Sequence, residues 1–428
     1  MNTLELQNPW WKEGSIGETL APRYHRYAFN RAKKLFAMRQ IVVITGLRRV
    51  GKSTIMYQLI EDLLKSNTDP KHILYFTFDE AVEGLVEVLN EFEHFTKTDW
   101  KKERCLIFFD EIQKLPDWSN KLKIIYDVAQ NLKIVVSGSG SFLLETETKS
   151  NLAGRHFILS VPPLSFTEYL EMKTSKIELS NEDMWSREIE KEFESYLFRP
   201  FPELVQFDEL SLIKSYIRDN VIEKITRSDI IAKFHDVNVQ LLSTLITDFY
   251  TEPGAYLNLD NLSRDLKISK NTLIPHLYYL EYSYLFRPVS NYRPSTRSTS
   301  RKMRRIYPYH WSLGFGWDGV INRESVAASL LDAKFYWRDK EKEIDFLLVD
   351  DAAVIPVEVK ETKKLKGDQI KTMIYFMKRF KADSGILLYE GREQQIEVED
   401  RHITAIPFWK YALSYRHGGE SAINRKKT

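Results

Sequence analysis

The stretch Gly46-Leu47-Arg48-Arg49-Val50-Gly51-Lys52-Ser53 follows directly on the apolar run Ile41-Val42-Val43-Ile44. It fits the pattern G-x-x-x-x-G-K-[ST] in full. The run from Ile41 predicts a buried strand, and Thr54 to Leu64 predicts a helix with Ile55, Leu59, Ile60 and Leu63 on one side. Backbone N–H groups from Gly46 through Arg49, Val50 and Gly51 to Lys52 can then wrap a β-phosphate at the positive end of the helix that Ser53 and Thr54 open. Lys52 is placed to neutralise β- and γ-phosphate oxygens, and the Ser53 hydroxyl to hold Mg²⁺. These residues imply a nucleoside triphosphate with Mg²⁺ as the ligand.

Four more strands are expected downstream, at His72–Phe78, Cys105–Phe109, Lys133–Ser137 and Phe157–Val161. Their alternation with helical or loop segments predicts an α/β fold with a parallel sheet covered on both faces. The third run ends in Phe109-Asp110-Glu111. An apolar strand that delivers two consecutive carboxylates suits a metal-dependent triphosphatase: Asp110 would reach the Mg²⁺ shell and Glu111 would polarise the attacking water. The fourth run ends in Ser137-Gly138-Ser139-Gly140-Ser141. One hydroxyl there, Ser137 in preference to Ser139, would sit between the acidic pair and the γ-phosphate. Arg155, in Leu152-Ala153-Gly154-Arg155, is the candidate arginine finger for a neighbouring subunit's nucleotide, which would require a homo-oligomer.

These motifs, with Pro163-Leu164-Ser165-Phe166-Thr167-Glu168-Tyr169-Leu170 after them, resemble the prokaryotic AAA+-type ATPases that carry a restriction-endonuclease-like C-terminal domain. The opening Asn8-Pro9-Trp10-Trp11 is similar to that of archaeal members. The resemblance implies ATP hydrolysis coupled to nucleic acid or to a signalling switch. It also implies that residues 36–165 form the ATPase core after an N-terminal arm of 1–35, and that 166–232 form a helical lid. Trp10 and Trp11 would either anchor the arm on a neighbouring subunit or cover the chain's own core.

Bulk properties narrow the field. A chain of 428 residues is too long for one core. It is 43% apolar and 29% charged with a formal net charge of only +2, so nucleic-acid binding has to come from local clustering. Its single cysteine excludes a disulfide framework and leads us to expect a cytoplasmic protein. No secretory signal and no bilayer-spanning run is expected.

Residues 233–295 predict short helices in a helix-turn-helix, winged in outline. Ser269 is the expected N-cap, and Leu273, Leu277, Leu280 and Leu285 the buried stripe. Lys270, Asn271, Thr272 and His276 are expected to face outward. Pro275 predicts a kink, or a later start to that helix. Between Tyr292 and Ile306 stand Arg293, Arg297, Arg301, Lys302, Arg304 and Arg305 with no acid among them. This basic run is expected to contact DNA phosphates without reading sequence.

Residues 296–428 hold a second constellation. Lys342–Val349 alternates as a strand, and Ile355–Lys360 as its hairpin partner. There Glu358 and Lys360 point opposite to Ile355, Val357 and Val359. Asp345 with Glu358-x-Lys360 is the PD-(D/E)xK nuclease arrangement, in which the carboxylates hold Mg²⁺ and the lysine positions or deprotonates water. Glu324, on a helix over 323–331, is similar to the first acidic residue of that superfamily. Three functions fit these features. One is an oligomeric motor that remodels or translocates on DNA, with branched or junction DNA and branch migration by analogy to other AAA+-type machines. The others are an ATP-gated nuclease, and a defence or signalling switch with an inert C-terminal domain.

Overall fold

Five apolar runs become strands within one or two residues of expectation: β1 (Ile41–Gly46), β2 (Ile73–Thr77), β3 (Leu106–Asp110), β4 (Lys133–Ser139) and β5 (His156–Ser160). In this computed structural model, which describes residues 3–79, 84–139, 152–182, 184–293, 303–350 and 353–414, they form one parallel sheet ordered β2-β3-β4-β1-β5. Every residue of β1 and β3 is buried, which is why those runs show no polar alternation. The order matters for chemistry. With β4 between β1 and β3, the P-loop that follows β1 and the carboxylates that end β3 flank the Ser137 hydroxyl on β4.

β2 is an edge strand, and its outward backbone groups need partners. The N-terminal segment supplies them. The Asn8 amide mimics a neighbouring strand: its Oδ1 accepts from the Tyr75 N–H (2.7 Å), and its Nδ2 donates to Tyr75 O (2.8 Å) and Leu4 O (2.7 Å). Both indoles of Trp10 and Trp11 donate to Ile73 O, at 3.2 and 2.8 Å. Trp10 is fully buried. The two tryptophans therefore cover the sheet edge of their own chain.

The chain divides into two compact units. One runs up to Pro163 and includes Ser228–His235; the other comprises Leu164–Arg227 and the described residues from Asp236 on. The second unit holds a nine-stranded sheet with β6 (Ala255–Leu257), β7 (Phe286–Asn291), β8 (Arg304–Pro308), β9 (Phe335–Asp339), β10 (Lys342–Asp350), β11 (Ala353–Lys360), β12 (Ser384–Tyr389), β13 (Gln394–Val398) and β14 (Arg401–Pro407). The order across the sheet is β13-β14-β12-β11-β10-β9-β7-β8-β6. β10 and β11 form the expected antiparallel hairpin, while β11, β12 and β14 run parallel.

Two expectations need correction. Much of the segment expected to form an ATPase lid, 166–232, packs into the second unit instead. Phe166, Tyr169, Phe193 and Tyr196 share a buried cluster with Trp311, Val326 and Phe408, because an aromatic face of this size needs an apolar wall of comparable extent. Within that unit, Ser269 caps the helix Lys270–Tyr282, which starts where the cap dictates and continues through Pro275. His276 points inward, not outward, and is 3% exposed. Its Nε2 accepts from the Asn238 N–H (2.8 Å), which leaves Nδ1 to donate to Thr272 O (2.7 Å). Among the described residues no helix is long and apolar enough to cross a membrane.

The edge-capping role of Asn8 makes a direct prediction. Asn8→Ala leaves the buried Tyr75 N–H and C=O without partners, at about 1–3 kcal/mol per group. The urea midpoint of the first unit is expected to drop accordingly; an unchanged midpoint would show that water replaces the amide without cost.

Candidate nucleotide site and a second acidic cluster

The P-loop conformation depends on residues in the left-handed region of backbone space. Gly51 has φ 90° and Arg49 φ 65°. At Gly46 (φ 154°) a Cβ would stand 2.1 Å from Val161 O, so only glycine lets β1 turn into the loop beside the strand end. Arg26, unforeseen from the sequence, braces the loop from outside. Its guanidinium donates to Val50 O (2.8 Å), Pro162 O (2.8 Å) and Pro163 O (3.2 Å). Lys52 lies at the start of the helix Lys52–Lys65, its Nζ bonded to Leu47 O (2.9 Å) and Gly46 O (3.2 Å). Burial pulls its ammonium below the usual lysine range, and the Glu111 and Asp110 carboxylates oppose that shift.

Asp110 is the centre of the site. Its Oδ2 accepts from the Ser53 hydroxyl (2.5 Å) and the Tyr75 hydroxyl (2.8 Å), and its Oδ1 from the Ser137 hydroxyl and the Glu111 N–H (3.1 Å). Three hydroxyls from three elements meet on one buried carboxylate. A hydroxyl and a carboxylate oxygen in contact are hard oxygen donors, which fits them to hold Mg²⁺. Glu111 takes a left-handed backbone (φ 51°) that a side-chain-bearing residue adopts only under constraint. Burial raises its carboxyl above the usual range, with Lys52 pulling the other way. Gln113 Nε2 donates to Glu111 Oε2, and Ser139 Oγ lies 3.5 Å from the same oxygen. So Ser137 serves Asp110 and Ser139 stands by Glu111.

A further pair escaped the sequence reading. Arg48, inside the P-loop, makes a two-pronged contact with Asp229 (2.6 and 2.7 Å), and Ser139 Oγ lies 3.3 Å from the same carboxylate. Asp229 comes from the short segment that returns to the first unit, and no local motif marks it. Arg155 is not brought to this site. Its carbonyl accepts from the Ile41 N–H (2.8 Å), at the end of β1 away from the P-loop, and its guanidinium pairs with Asp127 (2.8 and 3.1 Å).

In the second unit, Asp345 and Glu358 face each other across the β10–β11 ladder, one step beyond the Phe346–Val357 pair. The register of β10 on β9 shifts between Ile344 and Leu347, beside Asp345. Asp345 Oδ2 accepts from the Val359 N–H (2.8 Å), and Lys360 Nζ lies 2.6 Å from Glu358 Oε2. Burial, and then the facing Asp345, push the Glu358 carboxyl up to about 8. Glu324, on the helix Arg323–Leu330, lies near enough to interact with the charges of Asp345 and Lys360, and its Oε1 also accepts from Arg305 Nη2 and Tyr307 OH, both at 2.6 Å. Among the described residues no group of three or more His, Cys, Asp or Glu is arranged to hold a metal ion.

The expected DNA contacts fare unevenly. Arg305 is a correction: it is 8% exposed, with Nη1 3.1 Å from Glu343 and Nε donating to Gly254 O (2.8 Å). A buried guanidinium between two carboxylates ties the sheet together and offers phosphate no access. Arg304 is half-buried and paired with Glu281 at 3.3 Å. Lys270 is exposed but paired with Asp260, while Asn271, Thr272 and Arg293 are exposed. Arg297, Arg301 and Lys302 lie outside the described residues.

Comparison with known proteins finds similarity to families and relatives along most of the chain. Residues 38–170 match the family model described as an AAA domain. Residues 190–314 and 313–411 match two domains of unknown function, DUF8612 and DUF4143. An uncharacterized protein of Methanocaldococcus jannaschii is 26% identical over 404 residues, 88% of this chain and 89% of its own. An uncharacterized protein of Haemophilus influenzae is 28% identical over 260 residues, 59% of this chain and 62% of its own. Among solved structures, the Walker-type ATPase PABY2304 of Pyrococcus abyssi superposes at TM-score 0.39 with 14% identity, over 68% of this chain and 94% of its own. Residues 38–170, which carry the P-loop and the Asp110–Glu111 pair, are thus similar to AAA-type P-loop ATPase domains.

The raised Glu358 carboxyl sets a pH signature. Between its ordinary value of 4.5 and about 8 the folded protein holds a proton there that the unfolded chain has lost. Stability contributed at this residue therefore falls as pH rises through that window. Glu358→Gln is expected to gain on the wild type, in urea midpoint, between pH 5 and pH 8.5; a difference flat across that range would contradict the burial-driven shift.

Proposed function

We propose that this protein is an oligomeric ATPase whose hydrolysis cycle remodels or moves along DNA. The observation that carries the reading is the meeting of Ser53, Ser137 and Glu111 at the Asp110 carboxylate beside Lys52. In it Lys52 binds the β- and γ-phosphates through its ammonium. Ser53 and Asp110 would hold Mg²⁺, which would supply charge neutralisation on the phosphoryl oxygens. Glu111, its carboxyl raised by burial, is tuned toward taking a proton from the attacking water. Ser137 is the γ-phosphate sensor, and the Arg48–Asp229 pair holds the loop against it. Arg155, half-buried at the far end of the sheet and paired there with Asp127, serves a neighbouring subunit's nucleotide, which makes the working form a homo-oligomer.

DNA as the partner is supported by the element order of the second unit. The helix Val239–Thr251, β6, the helices Leu259–Asp265 and Lys270–Tyr282, then β7 and β8, follow one another as in a winged helix, with β6 on β8 and β8 on β7. The helix Arg323–Leu330, β9, β10, β11, the helix Lys371–Phe380 and β12 follow as in a restriction-endonuclease-like fold. Lys270, Asn271, Thr272 and Arg293 are the phosphate contacts on this reading, joined by Arg297, Arg301 and Lys302. Such contacts select DNA shape and not sequence, which suits forked or junction DNA. One observation favours a second reading, an ATP-gated nuclease: Lys360 touches Glu358, and Asp345 faces it from the adjacent strand.

Hydrolysis assays with linear, forked and four-way DNA, with product lengths monitored, separate the two. Lys52→Ala is expected to abolish turnover, and Glu111→Gln to lower it about 10²–10⁴-fold, the usual worth of a general base. DNA is expected to stimulate the wild type, most with branched forms. Asp345→Ala with Lys360→Ala keeps that stimulation if the protein is a motor, and removes shortened products if it is a nuclease. Turnover indifferent to every DNA overturns both.

A further inference from the structure

β11, β12 and β14 lie side by side and parallel, with Lys360 level with Tyr389 and Tyr389 level with Pro407. Their carboxyl ends thus share one edge of the sheet. Outside the carboxyl ends of parallel strands is where open α/β sheets receive ligands, because the connecting loops diverge there. Here the edge opens into a cleft of about 1500 Å³. Its walls are the loops that follow β11 and β12, the first turn after β14, and the start of the helix Ser186–Tyr196. That volume exceeds the roughly 300–1,000 Å³ of a small-molecule pocket, and points to a length of polymer.

The charge on the walls is one-sided. Arg187, Lys363, Lys364 and Arg392 are exposed and have no carboxylate partner among the described residues. Of the acids in the cleft, Glu393 pairs with Lys410 (2.8 Å) and Glu390 lies 3.7 Å from Arg323, which leaves Glu190. The cations stand on a fitted wall. A Cβ at Gly391 would lie 2.7 Å from Lys363 O, the Glu390 N–H donates to Thr362 O (3.2 Å), and the Tyr389 hydroxyl donates to Arg392 O. The loops carrying Lys363 and Arg392 are therefore pressed together. Trp409, half-buried on the apolar cluster beneath, also lines the cleft.

We propose that this cleft seats a single strand of nucleic acid, its phosphates on Arg187, Lys363, Lys364 and Arg392 and an unpaired base against Trp409. The inference deepens the proposed action on DNA and rests on it. Only an unpaired base can offer its face to an aromatic ring, which selects a single strand over a duplex. Lys363 and Lys364 follow the Glu358–Lys360 pair within the same stretch of chain, so a strand held here leads to that pair.

The test is anisotropy of fluorescein-labelled dT20 with the full chain across a salt series. Replacing Arg187, Lys363, Lys364 and Arg392 together by Gln is expected to weaken binding at least ten-fold. The slope of log affinity against log salt should fall by about 0.7 for each phosphate no longer neutralised. Trp409→Leu is expected to weaken binding with the slope kept. A thermal midpoint equal to the wild type's shows that each variant is folded; if the fourfold variant melts early, Lys363→Gln with Lys364→Gln gives the same readout at half the slope change. Wild-type affinity and slope in a folded variant overturn the proposal, as does a polyglutamate peptide that binds as tightly as dT20 with the same dependence. If DNA stimulates ATP turnover but the wild type binds no dT20, the cleft assignment alone falls. If dT20 binding depends on these cations while no DNA alters turnover, coupling to the ATPase falls and the cleft stands.

Discussion

The Asp110 carboxylate is the constraint on which the first unit is organised. It ends β3, and it gathers hydroxyls from Tyr75 on β2, Ser137 on β4 and Ser53 at the start of the P-loop helix. A buried carboxylate is tolerated only when its lone pairs are occupied. Here the occupying groups come from each side of β3 and from the phosphate-binding helix, so one desolvation requirement aligns the strands and sets the distance from P-loop to acid. The backbone strain at Glu111 belongs to the same arrangement, because the residue after a fixed Asp110 has to turn at once to present its own carboxyl.

The second unit is organised by a buried cation. Arg305, on β8, meets Glu324 on the helix Arg323–Leu330, Glu343 on β10 and the Gly254 carbonyl ahead of β6. Tyr307 on the same strand adds its hydroxyl to Glu324. Stripping a guanidinium of water demands several acceptors at once, and these come from elements that the sheet order alone would leave loosely related. The same ion pair holds Glu324 through its Oε1, within interaction range of the Asp345 and Lys360 charges. Asp345, Glu358 and Lys360 remain grouped at the carboxyl end of β11, where burial first, and the facing Asp345 second, hold the Glu358 carboxyl above the usual range.

What was legible and what was not follows from separation along the chain. Gly46, Gly51, Lys52 and Ser53 lie within one turn and its flanks, so their spacing states their geometry. Asp110 with Glu111, and Glu358 with Lys360, were legible for the same reason. Arg48 with Asp229, Tyr75 with Asp110 and Asn8 with Tyr75 were not: the partners stand 181, 35 and 67 residues apart. A charge run shows cations but not their burial, so Arg305 reads as a DNA-phosphate contact although a sheet closes over it. His276 was misplaced because helical spacing alone did not reveal that Asn238 would approach from another helix.

The sequence by itself determined that a strand, a phosphate-binding loop and a helix follow one another, and that two carboxylates and two serines end successive strand-forming runs. Short-range pattern is enough for this, since period and turn chemistry act over a few residues. Only the tertiary structure decided which groups face one another: the hydroxyls on Asp110, the segment from 166 onward joining the second unit's core, and Arg305 inside the protein. Those outcomes depend on burial, which depends on every element at once. No window of sequence contains the competition between desolvation and partnership that settles it.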